Sequence, residues 1–266
     1  AVEGKHISNM PAIGARNAAP IKRETGDAFA RRVLVIIPAY NEALSLPALL
    51  TQLLACCPSL DVLVVDDGST DQTASVISEF PVRLISLPCN LGVGGAIQTG
   101  LLVAVRENYD VAVQVDGDGQ HPPSEIPKLL AAMRDSGSDM ILGSRFLGGD
   151  GYRSTLGRRA GIQFFSSILS LLCGTRITDA TSGFRAWNRA AIQVLAKEYP
   201  EDYPEVEAIL LLHHANLRIS ETPVRMLERT AGQSSIRVLQ AVTYMIKVPL
   251  AIFMNLLRRR KPQLSD

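Results

Sequence analysis

The sequence has no surplus of charge of either sign, since 27 Lys and Arg residues stand against 26 Asp and Glu residues in a chain of 266. A near-neutral balance gives no general reason to expect nucleic acid as a partner, and none is predicted. With 47% hydrophobic and 20% charged side chains, the chain is long enough for one large α/β domain with a full core. Any charged side chains that bind a ligand must therefore be clustered locally, because the chain as a whole is nearly neutral.

Paired cysteine motifs are also absent. None of the four cysteines belongs to a C-x-x-C pair or has a histidine at a spacing that suits structural zinc: Cys56, Cys57, Cys89 and Cys173. Adjacent cysteines such as the first two rarely form a disulfide. We interpret all four as reduced core thiols, which favours a cytoplasmic location.

The N-terminal region lacks an apolar run of signal-peptide length, so residues 1–31 are predicted to be a flexible leader. At the other end, residues 238–257 are mostly apolar and precede the basic run 258–261. Polar side chains and Pro249 within this stretch argue against a bilayer crossing. Residues 237–266 are predicted to be an amphipathic helix and basic tail that contact the inner face of the membrane, a membrane subunit or the chain's own domain.

Short apolar runs alternate with helical patterns after the leader. The predicted strands are Arg32–Pro38, Asp61–Asp66, Val82–Ser86, Val111–Val115 and Met140–Leu142. The predicted helices are Ser45–Cys56, Thr70–Phe80, Gly94–Arg106 and Pro122–Arg134. This alternation predicts a doubly wound α/β sheet with helices on its faces and right-handed crossovers.

Polar residues follow the predicted strands where ligands gather in such sheets. They are Tyr40, Asn41 and Glu42 after the first strand, Asp66 and Asp67 after the second, and Asp116 and Asp118 after the fourth. In the string DGDGQ, two carboxylates and the amide of Gln120 suit a hard cation such as Mg²⁺ or Mn²⁺. The D-x-D pattern is weak alone, because acidic turns after strands are common.

Two other nucleotide-binding classes are excluded by missing residues. The glycine-rich string GGAIQTG lacks the lysine of a phosphate-loop GKT or GKS, which excludes a P-loop NTPase. No G-x-G-x-x-G turn follows the first strand, where residues 38–42 read PAYNE, and this excludes a Rossmann dehydrogenase.

Several strings together resemble the family 2 glycosyltransferases of the GT-A fold between about Val33 and Ile236. They are VIIPAYNEA, VVDDGSTDQT, NLGVGGAIQTG and DGDGQHPP, followed by GSRF, DATSGFRAW and ERTAGQSSI, which are similar to the dolichyl-phosphate mannose synthase and bacterial polyprenyl-phosphate branch. The resemblance implies a catalytic domain over residues 32–236 with a mostly parallel sheet flanked by helices. It also implies a metal-dependent, inverting transferase that uses a nucleotide-diphosphate sugar.

The resemblance assigns roles to single residues. Asp116, Asp118 and Gln120 would be ligands of Mn²⁺ or Mg²⁺, and Asp118 would act in catalysis. The nucleotide would be bordered by Pro38, Tyr40, Glu42, Asp66, Asp67 and Gly92. The acceptor or donor phosphate would lie near Arg145, Arg159 and Arg229.

The acceptor is less well defined by the sequence. A lipid phosphate is already ionised, whereas a sugar hydroxyl needs a carboxylate to take its proton. Glu207, in a predicted loop that also contains Glu205, is the expected base or acceptor contact, although a glutamate capping a helix from Ala208 to Ala215 is an alternative.

Three departures from the polyprenyl-phosphate pattern favour a lipid-linked or polysaccharide acceptor in cell-envelope glycan synthesis. They are Gly119, Gln163 and the string DYPEVEA. A polyprenyl-phosphate sugar synthase and a catalytically inactive sugar-nucleotide-binding protein are the alternatives.

Overall fold

The computed structural model describes residues 32–148, 156–200 and 204–227, with the side chains of residues 156–160 excepted. Its strands are β1 Val33–Ala39, β2 Asp61–Asp66, β3 Arg83–Ser86, β4 Val111–Gln114, β5 Met140–Ser144, β6 Arg185–Asn188 and β7 Ile219–Pro223. Its α-helices are α1 Leu46–Cys56, α2 Thr73–Ile77, α3 Gly92–Arg106, α4 Ile126–Ser136, α5 Leu156–Cys173, α6 Arg189–Lys197 and α7 Pro204–His214. A short 3-10 turn, Pro123–Glu125, precedes α4.

The seven strands form one sheet in the order β3-β2-β1-β4-β6-β5-β7. All neighbouring pairs are parallel except those of β6, which runs antiparallel to both β4 and β5. The prediction of a mostly parallel sheet flanked by helices is confirmed. The carboxyl ends of β1, β2 and β4 meet at one edge of the sheet, as their parallel pairing requires.

The two faces of the sheet have separate hydrophobic cores, and β1 contributes to both. Leu34 and Ile36 pack with α3, α5, α6 and α7, whereas Val35 and Ile37 pack with α1, α2 and α4. Successive strand residues point to opposite faces, so a strand covered on both sides is apolar at every position. This explains the continuous apolar run at the start of the domain.

The bounds of every predicted helix differ from those in the structure by at least one residue, and the differences at α2 and α7 bear on the site. Helix α2 begins at Thr73 rather than Thr70, because Asn41 Oδ1 accepts hydrogen bonds from the amides of Thr70 and Asp71 and holds them in a loop. Helix α7 begins at Pro204 rather than Ala208, so the predicted loop around Glu205 and Glu207 is wrong. Proline suits the first turn of a helix, where its missing N–H would have no partner.

The prediction of four core thiols is wrong for Cys56 and Cys89, which are exposed. Cys57 is buried, Cys173 is half-buried and packs against the core, and all four thiols are free. The predicted leader and C-terminal helix lie outside the described residues. In the part of the chain that the structure describes, no helix has the length and apolar character needed to cross a bilayer.

Candidate active site

The loop after β4 carries the predicted cation ligands. The Nε2 of Gln114 donates to Asp116 Oδ1 over 3.0 Å, and the amide of Gln120 donates to Asp118 Oδ1 over 3.0 Å. Asp118 is only 6% exposed, whereas 34% of the Asp116 side chain is exposed. The two carboxylates are therefore held by neighbouring groups, with Asp116 the more open to a ligand.

His121 supports this loop and was not singled out from the sequence. Its side chain is buried, its Nδ1 accepts the Asp116 amide proton over 3.1 Å, and its ring stacks on Phe184 at 5.0 Å between centroids. Accepting this proton requires Nδ1 to be unprotonated, so the ring proton lies on Nε2. The histidine thus fixes the backbone at the first aspartate.

The loops after β1 and β4 are in direct contact. A Cβ atom on Gly117 would lie 3.0 Å from the carbonyl oxygen of Pro38 and 3.6 Å from Glu42 Cγ. Only glycine allows this approach without displacing a neighbour. The structure therefore brings the predicted nucleotide-bordering residues Pro38 and Glu42 beside the predicted cation ligands.

Side chain to backbone hydrogen bonds join the loops after β1 and β2. The amide of Asn41 donates to Ser69 Oγ, and the amide of Glu42 donates to Thr73 Oγ1, each over 2.9 Å. Asp66 Oδ1 accepts the amide proton of Ser69 over 3.0 Å. Tyr40, the residue before Asn41, is 46% exposed.

Asp67 holds the start of α3 to this pair of loops. Its Oδ1 accepts the amide proton of Leu91 over 2.7 Å, next to Gly92. Burial raises the pKa of Asp67, while hydrogen bonds from Leu91 and Gly92 oppose this shift. Asp66, Asp67 and Gly92 thus lie at one edge of the sheet, and the buried Asp67 carboxylate holds the backbone at the start of α3.

Arg145, at the end of β5, is paired with an aspartate from a distant loop. Its Nε donates to Asp179 Oδ2 over 2.6 Å, and its Nη2 donates to Thr181 Oγ1 over 2.9 Å. Only 7% of the arginine side chain is exposed, and Asp179 is fully buried. Asp179 thereby fixes the orientation of a guanidinium that the sequence assigns to phosphate binding, a role that stays a prediction.

The two glutamates of α7 lie in its first turn and differ in their surroundings. At 100° per residue, positions 205 and 207 point to different sides of the helix. Burial raises the pKa of Glu205, the Arg185 guanidinium opposes the shift, and the Asp116 charge adds to it. The Asp116 charge thus reaches the Glu205 carboxyl, and the role of Glu207 stays a prediction.

Two of the predicted phosphate-binding arginines have no described side chain. Arg159 lies in α5, but its side chain is not described, and Arg229 lies beyond the last described residue. The helix and basic tail predicted for residues 237–266 are also outside the described part.

The donor chemistry of the loop fits a hard divalent cation. Two carboxylates and an amide oxygen suit Mg²⁺ or Mn²⁺, which keep several positions for water and substrate phosphate. Among residues 32–148, 156–200 and 204–227, no cluster of three His, Cys, Asp or Glu side chains could enclose a metal ion. Two carboxylates and an amide oxygen suit a cation that also binds a substrate diphosphate.

Comparisons with known proteins agree with this geometry. The sequence model of "Glycosyl transferase family 2" matches residues 34–195. The chain is 33% identical over 214 residues to polyprenol monophosphomannose synthase of Mycolicibacterium smegmatis, covering 77% of this chain and 80% of the relative. It is 34% identical over 212 residues to undecaprenyl-phosphate mannosyltransferase of Micrococcus luteus, covering 76% and 86% respectively.

A solved structure has the same fold. The crystal structure of glucosyl-3-phosphoglycerate synthase from Mycobacterium tuberculosis, in complex with Mn²⁺, uridine diphosphate and phosphoglyceric acid, superposes with a TM-score of 0.66. The superposition covers 88% of this chain and 81% of the synthase, and the two sequences are 19% identical. At this identity the likeness shows the fold alone.

Proposed function

The chain belongs to glycosyl transferase family 2, and from that premise we propose that it transfers a sugar from a nucleotide-diphosphate sugar to the phosphate of a polyprenyl lipid, with inversion. The observation that carries the proposal is the aspartate pair after β4, which lies beside the loops after β1 and β2. Relatives named for transfer to polyprenol or undecaprenyl phosphate support this acceptor over a sugar hydroxyl.

The donor would lie at the edge formed by these loops. Asp116, Asp118 and Gln120 would hold Mn²⁺ or Mg²⁺, which stabilises the negative charge that grows on a departing nucleotide diphosphate. Mn²⁺ in the solved structure of the same fold supports the metal. The nucleotide would be bordered by Pro38, Tyr40, Glu42, Asp66, Asp67 and Gly92.

The acceptor would approach from the side of β5 and α7. Arg145, oriented by Asp179, is proposed to contact phosphate, with Arg159 and Arg229 as further candidates. Because a lipid phosphate is already ionised, the reaction needs no strong base. The chain would then work at the inner face of the membrane, where residues 238–261 are proposed to meet lipid headgroups or a membrane subunit.

A sugar hydroxyl on a lipid-linked glycan or polysaccharide is the second candidate acceptor, favoured by one observation. The Asp116 charge is one of the causes that raise the pKa of Glu205, and a hydroxyl acceptor at the cation loop would need a carboxyl of this kind as its base. Glu207 is the base that the sequence proposes for the same purpose.

Neutral variants of the two glutamates separate the candidates. If the acceptor is a lipid phosphate, Glu205→Gln and Glu207→Gln should each keep most of the wild-type kcat. If it is a hydroxyl, one of them should lose roughly 10²- to 10⁴-fold in kcat. Transfer is measured with the donor found by a thermal-shift panel of nucleotide diphosphates and their sugars with Mn²⁺. A large loss with polyprenyl phosphate as acceptor would overturn the proposal.

A further inference from the structure

Arg185, the first residue of β6, has a side chain with no solvent exposure. It pairs in register with Gln114 of β4 and Leu142 of β5, in the middle of the sheet. Removing a guanidinium from water is unfavourable unless its donors are satisfied. A charged side chain at this position must therefore have specific partners.

Those partners are three main-chain carbonyl groups. Nε donates to the Ser182 carbonyl over 2.6 Å, Nη2 to the Ala180 carbonyl over 3.1 Å, and Nη1 to the Glu205 carbonyl over 2.8 Å. Among the described residues, no carboxylate oxygen lies within ion-pair distance of Arg185. The side chain therefore joins two backbone segments, residues 180–182 and the first turn of α7.

The backbone that directly follows residues 180–182 contacts the loop after β4 that carries Asp116 and Asp118. A Cβ atom on Gly183 would lie 2.8 Å from Asp116 Oδ1, so the backbone there lies against this carboxylate. Phe184, the next residue, stacks on His121, whose Nδ1 accepts the Asp116 amide proton. A shift of the segment would thus move both the carboxylate and the backbone of Asp116.

Residue 179, just before this segment, and the first turn of α7 also contact or carry the residues proposed for the acceptor. Asp179, which precedes Ala180, orients Arg145 through two atoms of its guanidinium. The Glu205 carbonyl bond fixes the turn of α7 that carries both candidate carboxyl groups. One buried side chain therefore connects the residues proposed for the donor with those proposed for the acceptor.

We propose that Arg185 is a positioning residue for sugar transfer, which sets the separation between the Asp116 carboxylate and the Arg145 and α7 groups. This inference rests on the proposed function of the same site. Arginine suits the task because its planar fork reaches three carbonyl oxygens at fixed angles, whereas lysine offers a single point charge. Loss of the fork would leave buried carbonyl groups without donors and let the segments separate.

The test compares Arg185→Lys with Arg83→Lys, in which a half-buried bidentate contact to Glu107 far from the site is weakened instead. Arg185→Lys should keep a cooperative thermal transition and a donor KM close to that of the wild type. Its kcat should fall roughly 10- to 100-fold, the cost of a small misplacement of reacting groups. Arg83→Lys should keep the wild-type kcat.

Hydrogen–deuterium exchange of the same proteins gives a readout that does not depend on transfer. Amides of residues 180–184 and of the first turn of α7 should exchange faster in Arg185→Lys and at the wild-type rate in Arg83→Lys. Unchanged exchange, unchanged kcat or loss of the whole fold would overturn the positioning role. A wild-type chain that transfers no sugar would instead refute the proposed function, while the exchange result would still decide whether Arg185 holds the two segments.

Discussion

At the scale of single residues, the two aspartates of the D-x-D string have different environments. Asp118 is buried and accepts the amide proton of Gln120, whereas Asp116 is more exposed and contacts Gln114, His121 and Gly183. Four residues thus hold a pair that the sequence pattern alone identifies only weakly. The exposure difference makes Asp116 the more open of the two carboxylates, whereas Asp118 would meet the cation from a more enclosed position.

The Asp118→Asn variant should lose the metal dependence of nucleotide binding. An asparagine oxygen can still accept the Gln120 amide proton, so the fold should be preserved, but the negative charge that attracts a divalent cation is gone. Calorimetry of nucleotide diphosphate binding with and without Mn²⁺ measures the effect. Asp135→Asn, a change at an exposed aspartate of α4, is the control.

In the wild type and in Asp135→Asn, Mn²⁺ should tighten nucleotide diphosphate binding. In Asp118→Asn the affinities with and without Mn²⁺ should be equal. An Asp118→Asn protein that responds to Mn²⁺ as the wild type does would contradict the assignment of this carboxylate to the cation.

At the scale of elements, the glycine-rich segment of α3 serves packing as well as the site. A Cβ atom on Gly100 would lie 2.9 Å from Ile36 Cδ1 and 3.0 Å from Ile36 Cγ1, and α3 packs directly against β1. The sequence motif therefore combines a position at the site, Gly92, with a position that lets a helix lie close to the central sheet.

Gly100→Ala should destabilise the fold by roughly 1–3 kcal/mol, the usual cost of overpacking a close contact. Urea denaturation measures the loss. Ile36→Ala removes the atoms that the new methyl group would meet, so the double variant should lose less than the sum of the two single variants. Strictly additive losses would show that Gly100 is not held by this contact.

Strand β7 carries a half-buried carboxyl, that of Glu221, whose ionisation should affect stability. Glu221 accepts hydrogen bonds from the amides of Thr178 and Asp179 and from Thr178 Oγ1. Burial nevertheless raises the pKa of Glu221 above its ordinary value. The folded state therefore holds this proton to a higher pH than the unfolded state does.

The contribution of Glu221 to the free energy of unfolding should be fully present below its ordinary pKa and should decline as the pH rises through its raised folded value. Urea denaturation of the wild type and Glu221→Gln at several pH values, from about 4 to 7, isolates this contribution. The wild type should lose stability relative to the variant across this window. A constant difference between the two proteins would contradict the shift.

The elements show what the sequence could predict and what it could not. β1, β2 and β4 were predicted because strands buried on both faces form continuous apolar runs, and their order placed Asp66 and Asp116 at one edge. β6 has four residues and begins with a buried arginine, so no apolar run marks it. Its antiparallel pairing with β4 and β5 depends on contacts between segments distant in sequence.

Within the candidate site, the sequence predicts the position of some residues better than their surroundings. Glu42, Asp116 and Asp118 follow strand ends, and that position places them at one edge of the sheet. The roles of His121 and Arg185 depend on which backbone groups their side chains reach, and no spacing rule specifies that. The resemblance favours Glu207 in a predicted loop, whereas helix α7 contains both glutamates and points them to different sides.

At the scale of the whole molecule, the acceptor proposed for this chain is a polyprenyl lipid, whose long apolar tail favours a bilayer. The described residues extend to Leu227, and the apolar and basic segment of residues 238–261 follows in the sequence. The sequence predicts that this segment supplies membrane contact, since basic residues near an apolar stretch are attracted to anionic headgroups.

Removal of the chain from Val238 onward should abolish flotation with vesicles that contain anionic lipid. The full chain should float with these vesicles and less so with vesicles of neutral lipid, because the basic run contributes electrostatic attraction. Nucleotide diphosphate binding with Mn²⁺ is the control that the shortened chain is folded. Equal flotation of both chains would refute the predicted contact.

The acceptor is the central claim, and one transfer measurement tests it most directly. The chain is incubated with radiolabelled nucleotide sugar, Mn²⁺ and either polyprenyl phosphate or the matching polyprenol, and label extracted into the organic phase is counted. The account predicts label in the lipid phase with polyprenyl phosphate and none with polyprenol. Transfer to polyprenol, or transfer only to a glycan hydroxyl, would contradict it.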